Sequence, residues 1–282
     1  MDESSCGKRQ GIAVWGINSI ENNSIGDMKY YWFVFCKSDI VLKKDDKGYT
    51  IPLSEEAPVS LHRWSKIMDV AETSSGVKVK AVNIDTPITG NPKLEMCGLR
   101  SSYYKLSREL YLIAGKCHEL LYWNQNTKFC GACGAPMKFN SNISKLCTNC
   151  GKEIWPQIST AVIVLIRRND EVLLVHAKNF KTDFYGLVAG FVETGETLEE
   201  AVHREVMEET GLSIKNLTYF CSQPWPYPCG MMVGFNADYD AGEIKIQKSE
   251  LSKGGWFKKD NLPNLPEKLS IARKLIDNWL EG

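Results

Sequence analysis

Three glutamates, Glu205, Glu208 and Glu209, lie close together in residues 190–212, which read GFVETGETLEEAVHREVMEETGL. Thr197, followed three residues on by Glu200, predicts a capping box and a helix start, and Gly211 predicts a left-handed stop. At 100° per residue the three carboxylates share roughly 100° of arc. Leu198, Ala201 and Val202 occupy the same arc, so the carboxylates are expected to point inward with the apolar stripe. Glu205 and Glu209 repel each other at i,i+4, and Arg204 is placed to relieve only Glu208, its own i+4 neighbour. Inward carboxylates that repel require cations, and hard oxygen ligands select Mg2+ or Mn2+. Such a site suits hydrolysis of a pyrophosphate. Two or three divalent ions would neutralise phosphate oxygens, orient a water and lower its pKa, while a carboxylate accepts the proton. A merely solvated acidic helix would set the glutamates opposite the leucine.

A second set of residues could bind a different metal. Cys130, Cys133, Cys147 and Cys150 form two CxxC pairs separated by 13 residues. That spacing suits one tetrahedral Zn2+ held by four thiolates, with Gly131, Gly134 and Gly151 relieving the tight knuckles. A redox pair or disulfides are the alternative readings. Four thiolates leave no open coordination position, so the zinc would be structural, one per chain, folding a segment that lacks a core of its own. The other six cysteines, Cys6, Cys36, Cys97, Cys117, Cys221 and Cys229, are scattered and read as free thiols.

Residues 222–229 read SQPWPYPC. Alternating prolines are expected to hold this segment extended, with Trp225 and Tyr227 projecting from one side as a rigid pair. Beside a pyrophosphatase helix the pair reads as a base-binding wall. A stiff loop packed on the core, or a proline-rich ligand for another protein, is the other reading.

The elements that must position these groups divide the chain in three: an N-terminal α+β domain with its linking helix over 1–126, a zinc ribbon over 127–156 and a catalytic domain over 157–282. At 282 residues about two domains plus a small module are expected. Residues 30–42 are dense in aromatic and β-branched side chains, and the polar 43–48 reads as a hairpin connection. This first part shows no catalytic constellation, and His62 beside Trp64 reads as structural. Leu99, Tyr103, Leu106, Leu110, Ile113, Cys117 and Leu120 step by three or four, predicting one helix from about 99 to 124 that packs the first domain against the ribbon. Residues 160–166 and 171–176 read as a hairpin buried on both faces, and a last helix is expected over 267–280. Thirty-four basic and thirty-four acidic residues cancel, which argues against a dedicated nucleic-acid or acidic-membrane binder. The first twenty residues hold no apolar signal-peptide core, and no stretch of about 18 apolar residues occurs. A cytoplasmic protein without a membrane span is expected.

Gly190, Glu196, Arg204, Glu205, Glu208, Glu209 and Gly211, with aliphatic Val206 and Leu212, make up the complete Nudix box G-x5-E-x7-R-E-U-x-E-E-x-G-U, where U is aliphatic. A four-cysteine ribbon directly before that box, and a SQPWPFPxS-like segment after it, resemble the NADH pyrophosphatase family over roughly residues 99–280. The resemblance implies a Nudix α/β/α sandwich, so that the whole chain is α+β. It implies an enzyme cleaving NADH or NAD+ to nicotinamide mononucleotide and AMP, with NAD-capped RNA as a further substrate and a homodimer in which one ribbon contributes to the other pocket. It implies that the carbonyl of Ala189 and the side chain of Glu250 join Glu205, Glu208 and Glu209 around Mg2+ or Mn2+. It also implies a substrate-binding set: Phe191, Trp155, the run Gln223, Pro224, Trp225, Pro226, Tyr227, Pro228, Cys229 and Gly230, and Ala272. Tyr227 stands for a usual phenylalanine, Gly230 for a serine, Trp155 for a tyrosine, and Asn142 about where a substrate-binding glutamate would lie. These departures bear on substrate preference. The rival readings are a Nudix hydrolase of another compound such as ADP-ribose, and a regulator using the ribbon to bind nucleic acid or protein.

Overall fold

The computed structural model describes residues 28–180 and 182–282, which make two units. One holds residues 28–157 with 226–229; the other holds 158–225 with 230–282. The fold class is α+β, as expected.

In the first unit the strand-forming residues alternate between two cores. Its strands are β1 (Tyr30–Cys36), β2 (Asp39–Asp45), β3 (Gly48–Thr50), β4 (Leu53–Ser54), β5 (Met68–Glu72), β6 (Lys78–Asn83) and β7 (Leu94–Gly98). They pair in the order β3-β2-β1-β6-β5, with β4 added to β1 and β7 to β2. Phe33 and Phe35 of β1 face one apolar cluster, and Trp32 and Val34 face another, as a two-residue period requires. Helix α1 (Arg108–Asn126) lays Tyr111, Ala114, Cys117 and Leu121 into the first cluster. The helix does not begin at residue 99: Leu99 is buried just after β7, and residues 101–104 form a single 3-10 turn. The start is set by Ser107, whose hydroxyl accepts the amide of Leu110 at 3.3 Å and satisfies one otherwise orphaned donor. His62 and Trp64 stack at 4.6 Å on the surface, where Trp64 is exposed.

The ribbon follows in the same unit, with β8 (Met137–Ser141), β9 (Ser144–Cys147) and β10 (Glu153–Ile154) paired in the order β10-β9-β8. Lys145 of β9 is buried, and its ammonium donates to the carbonyls of Asn124 and Thr127 at 3.0 and 3.1 Å. A cation thereby caps the carbonyl end of α1, where the helix dipole favours it. The same ammonium lies 5.1 and 5.0 Å from the Trp123 and Phe139 rings. Burial pushes its pKa down to about 8.

The second unit contains β11 (Ser159–Arg168), β12 (Glu171–Ala177), β13 (Val188–Phe191), α2 (Leu198–Thr210), β14 (Ser213–Trp225), β15 (Gly230–Ala241), β16 (Leu251–Lys258) and α3 (Ile271–Glu281). Its mixed sheet runs β14-β15-β11-β12-β16, with β13 paired to β11; β11 and β15 are parallel. Val162, Val164 and Ile166 face a cluster completed by Ala201, Val202 and Val206 of α2. Ile163 and Leu165 face the opposite cluster, with Leu275 and Ile276 of α3. The sheet is therefore sandwiched between α2 and α3, and the hairpin expected to be buried on both faces is so. Helix α3 begins four residues later than expected, because Ser270 accepts the amide of Arg273 and caps it there.

Cys6 lies outside the described residues; the described cysteines form no disulfide. No helix among the described residues is long and apolar enough to cross a membrane.

Candidate active site and metal centres

The box helix and the strand before it are locked together by side chains. Helix α2 opens with the expected capping box of Thr197 and Glu200, and ends on Gly211 at φ 71°. Strand β13 brings Ala189, Gly190 and Phe191 alongside β11, with Ala189 opposite Ile163. The Glu205 carboxylate lies against Gly190, and a β-carbon at residue 190 would overlap it. A glycine within a strand often marks such a close approach.

Arg204 does more than the i+4 argument allowed. Its guanidinium donates to Glu208 at 3.1 Å, but also to Glu205 at 2.9 Å and to Glu196 at 2.9 Å. The expectation that it relieves only Glu208 is corrected. Residues 193–196 form the turn before the helix, in which the amide of Glu193 also donates to Glu196. The Arg204 guanidinium holds the Glu196 carboxyl down at about 2. A fourth partner of Arg204, the carbonyl of Phe191 at 3.0 Å, ties the β13 exit to the helix.

Glu209 is 4% exposed, and its Oε2 has no hydrogen-bond partner. Burial, and then the charges of Glu205, Glu250 and Glu208, push its pKa up to about 8. Burial also raises Glu205. Glu208 and Glu250 are exposed. Glu250 is delivered by a segment that caps α2: the amides of Lys245 and Gln247 donate to the carbonyls of Thr210 and Glu209 at 2.8 and 2.9 Å, satisfying acceptors that a helix end leaves open. Nothing in the sequence pattern signalled that cap. A buried, unpartnered carboxylate oxygen among like charges fits a divalent cation. The four carboxylates stand more openly than the cysteines, which are the set among the described residues whose donors converge, within 4.8 Å of one another.

The cysteine set fits a tetrahedral ion. Amides of Ala132 and Asn149 donate to Cys130 and Cys147 at 3.4 and 3.5 Å, and backbone donors of this kind lower both thiol pKa values toward the ligating thiolate. Gly134 and Gly151 take the left-handed φ the knuckles need, 74° and 71°; Gly131 does not, so its expected role falls away.

The proline-aromatic run is not one extended wall. Gln223, Pro224 and Trp225 continue β14, with Trp225 opposite Gly230, whereas Pro226, Tyr227, Pro228 and Cys229 form the turn into β15. Trp225 and Tyr227 are therefore not a rigid pair. Tyr227 joins the apolar cluster of Phe33 and Phe35, and its hydroxyl lies 2.7 Å from that of Tyr111. The Gln223 amide donates to the carbonyl of Leu269 at 2.9 Å and accepts Lys274 at 3.0 Å, so β14 is tied to the start of α3, where Ala272 is buried. Phe191 and Trp155 are exposed, and Asn142 lies between β8 and β9.

Three family models match the chain: the NADH pyrophosphatase-like rudimentary NUDIX domain over 29–123, the NADH pyrophosphatase zinc ribbon domain over 125–154 and the NUDIX domain over 156–279. Proteins named NAD-capped RNA hydrolase NudC from Citrobacter koseri and Klebsiella pneumoniae are each 45% identical over 170 residues, 60% of this chain and 66% of theirs. The match thus spans just under two thirds of the length of these relatives. A solved Nudix hydrolase from Nitrosomonas europaea aligns with a TM-score of 0.48 at 18% identity, over 55% of this chain and 90% of that one.

Proposed function

We propose that the chain is a zinc-ribbon Nudix hydrolase of the NADH pyrophosphatase family, whose three domain models it matches, and that it hydrolyses the pyrophosphate bond of NADH or NAD+, giving nicotinamide mononucleotide and AMP. The observation that carries this reading is Glu209, a buried carboxylate with an unpartnered oxygen in the field of three others. Glu205, Glu208, Glu209 and Glu250, with the Ala189 carbonyl, would hold two or three Mg2+ or Mn2+ ions. Bound there, such ions neutralise charge on the phosphate oxygens and lower the pKa of the attacking water. The chain's own residues fix where this happens. Gly190 leaves room for the Glu205 carboxylate, Arg204 fixes the acidic face and the Phe191 carbonyl, and Glu209 or Glu250 takes the proton of the water. Phe191 and Trp225 offer ring faces to the two bases of a dinucleotide.

The four thiolates would hold one structural Zn2+. The ribbon exposes Phe129, Ile143, Leu146 and Trp155, large apolar side chains that a homodimer would cover. Described cysteines that form no disulfide fit a reducing compartment such as the cytoplasm. We divide the chain at 126 and 156. The name of the relatives adds NAD-capped RNA as a second substrate for test. Product analysis with NADH, NAD+, ADP-ribose and NAD-capped RNA in Mn2+ decides: AMP with nicotinamide mononucleotide is expected from the free dinucleotides. Turnover of ADP-ribose without turnover of NADH or NAD+ would replace this reading with an ADP-ribose hydrolase.

A further inference from the structure

The turn that interrupts the proline-aromatic run is seated on one face of α1. Tyr111, Gly115 and His118 stand at i, i+4 and i+7, a single helical face. Each meets a different part of the turn. The hydroxyls of Tyr111 and Tyr227 are 2.7 Å apart. A β-carbon at Gly115 would stand 3.0 Å from Pro226 Cγ, a tight approach that would push the buried proline by a few tenths of an ångström. The imidazole of His118 lies beside the carbonyls of Pro226 and Pro228. The Tyr111 hydroxyl has its partner in Tyr227, whereas Nδ1 of His118 is buried without a hydrogen-bond partner.

A ring whose hydroxyl is tied to α1 and whose face joins the Phe33 and Phe35 cluster is not free to stack on a base. The turn joins β14 to β15, and its ends are Trp225 and Gly230, which pair across the two strands. Holding the turn fixes the register and direction of that pair. We propose that Tyr111, with Gly115, is a positioning residue for dinucleotide recognition, acting through Tyr227 and Pro226 on the Trp225 end of the substrate motif. The inference rests on the diphosphatase reading above, and it gives the helix of a domain without catalytic groups a part in substrate choice.

The test is a double-mutant cycle with two readouts. Tyr111→Phe and Tyr227→Phe, singly and together, are assayed for KM and kcat with NADH, and amide hydrogen exchange is followed over residues 225–230. Losing one hydroxyl pair should raise KM for NADH about 3- to 10-fold with little change in kcat. The double variant should be no worse than either single one, because both remove the same contact. Exchange over 225–230 should quicken in all three. Gly115→Ala approaches from the other side: alanine favours the helix, so Tm should hold or rise while KM for NADH increases as Pro226 is displaced. Unchanged KM and exchange in Tyr111→Phe, or losses that multiply in the double variant, would overturn the proposal. If the wild-type protein turns over no dinucleotide, the functional reading fails instead. Exchange then decides the positioning contact alone, and unchanged protection in Tyr111→Phe overturns it.

Discussion

The Glu205 carboxylate fills the space that a side chain at Gly190 would need. The invading atoms belong to the far end of a flexible side chain, so Gly190→Ala can be accommodated by swinging Glu205 aside. The fold should survive, with Tm nearly unchanged. The carboxylate, however, would leave its place beside Glu209. A displacement of about 1 Å at a reacting centre can cost on the order of 10²-fold in rate. Steady-state kinetics of Gly190→Ala in saturating Mn2+ should show that loss in kcat, and wild-type kcat would mean that the position of Glu205 does not matter.

Glu209 should make the protein's stability depend on pH when Mg2+ and Mn2+ are absent. Its pKa in the folded chain is raised from the ordinary 4.5 to about 8 by burial and by neighbouring carboxylates. A raised carboxyl favours the folded state while it is protonated, and that contribution is lost as pH rises from about 4.5 through 8. A tenfold change in proton affinity corresponds to about 1.4 kcal/mol, so a few kcal/mol are at stake. Tm measured with zinc retained should fall between pH 6 and 8.5. Glu209→Gln, or added Mn2+, should flatten the profile.

The same substitution separates the two sides of the helix in catalysis. Glu209→Gln keeps the shape and removes one negative charge, and should lower kcat by about 10²-fold or more. Glu199→Gln lies on the exposed side of α2 and should be near neutral. Equal losses from the two would mean that α2 does not present one working face.

Zinc should hold more than the ribbon. Lys145 sits two residues before Cys147 in β9 and caps the carbonyls of Asn124 and Thr127. Removing zinc, or making Cys147→Ser, should speed amide exchange over 130–150 and also over the last turn of α1. Exchange confined to the ribbon would show that the Lys145 cap survives without the metal.

Features set by neighbours in sequence were legible before the fold was known. The CxxC spacing, the Thr197–Glu200 capping box, the Gly211 stop and the doubly buried 160–166 strand each depend on a few adjacent residues, and each is found. The misreadings have separate causes. The apolar period from Leu99 continues without a break through a strand end and a 3-10 turn, so only the Ser107 cap reveals where α1 begins. Arg204 meets Glu196, which lies in the turn before the N-cap, and spacing within the helix cannot express that contact. Tyr227 finds Tyr111 at a separation of 116 residues, and no local rule places that contact.

Phe191 bears on substrate choice because its backbone and its ring do different jobs. The carbonyl is held by Arg204 at 3.0 Å, whereas the residue as a whole is 67% exposed. Phe191→Ala should therefore leave β13 and the acidic face in place and remove only a stacking surface. Stacking a base on an aromatic ring contributes about 1–3 kcal/mol, so losing one platform should lower kcat/KM roughly 5- to 150-fold. NADH carries two rings to stack where ADP-ribose carries one, so the loss should be larger for NADH, and the residual activity should keep the wild-type Mn2+ dependence. An equal fall for both substrates would mean that the ring only packs the loop leading into α2, and the dinucleotide assignment would lose that support.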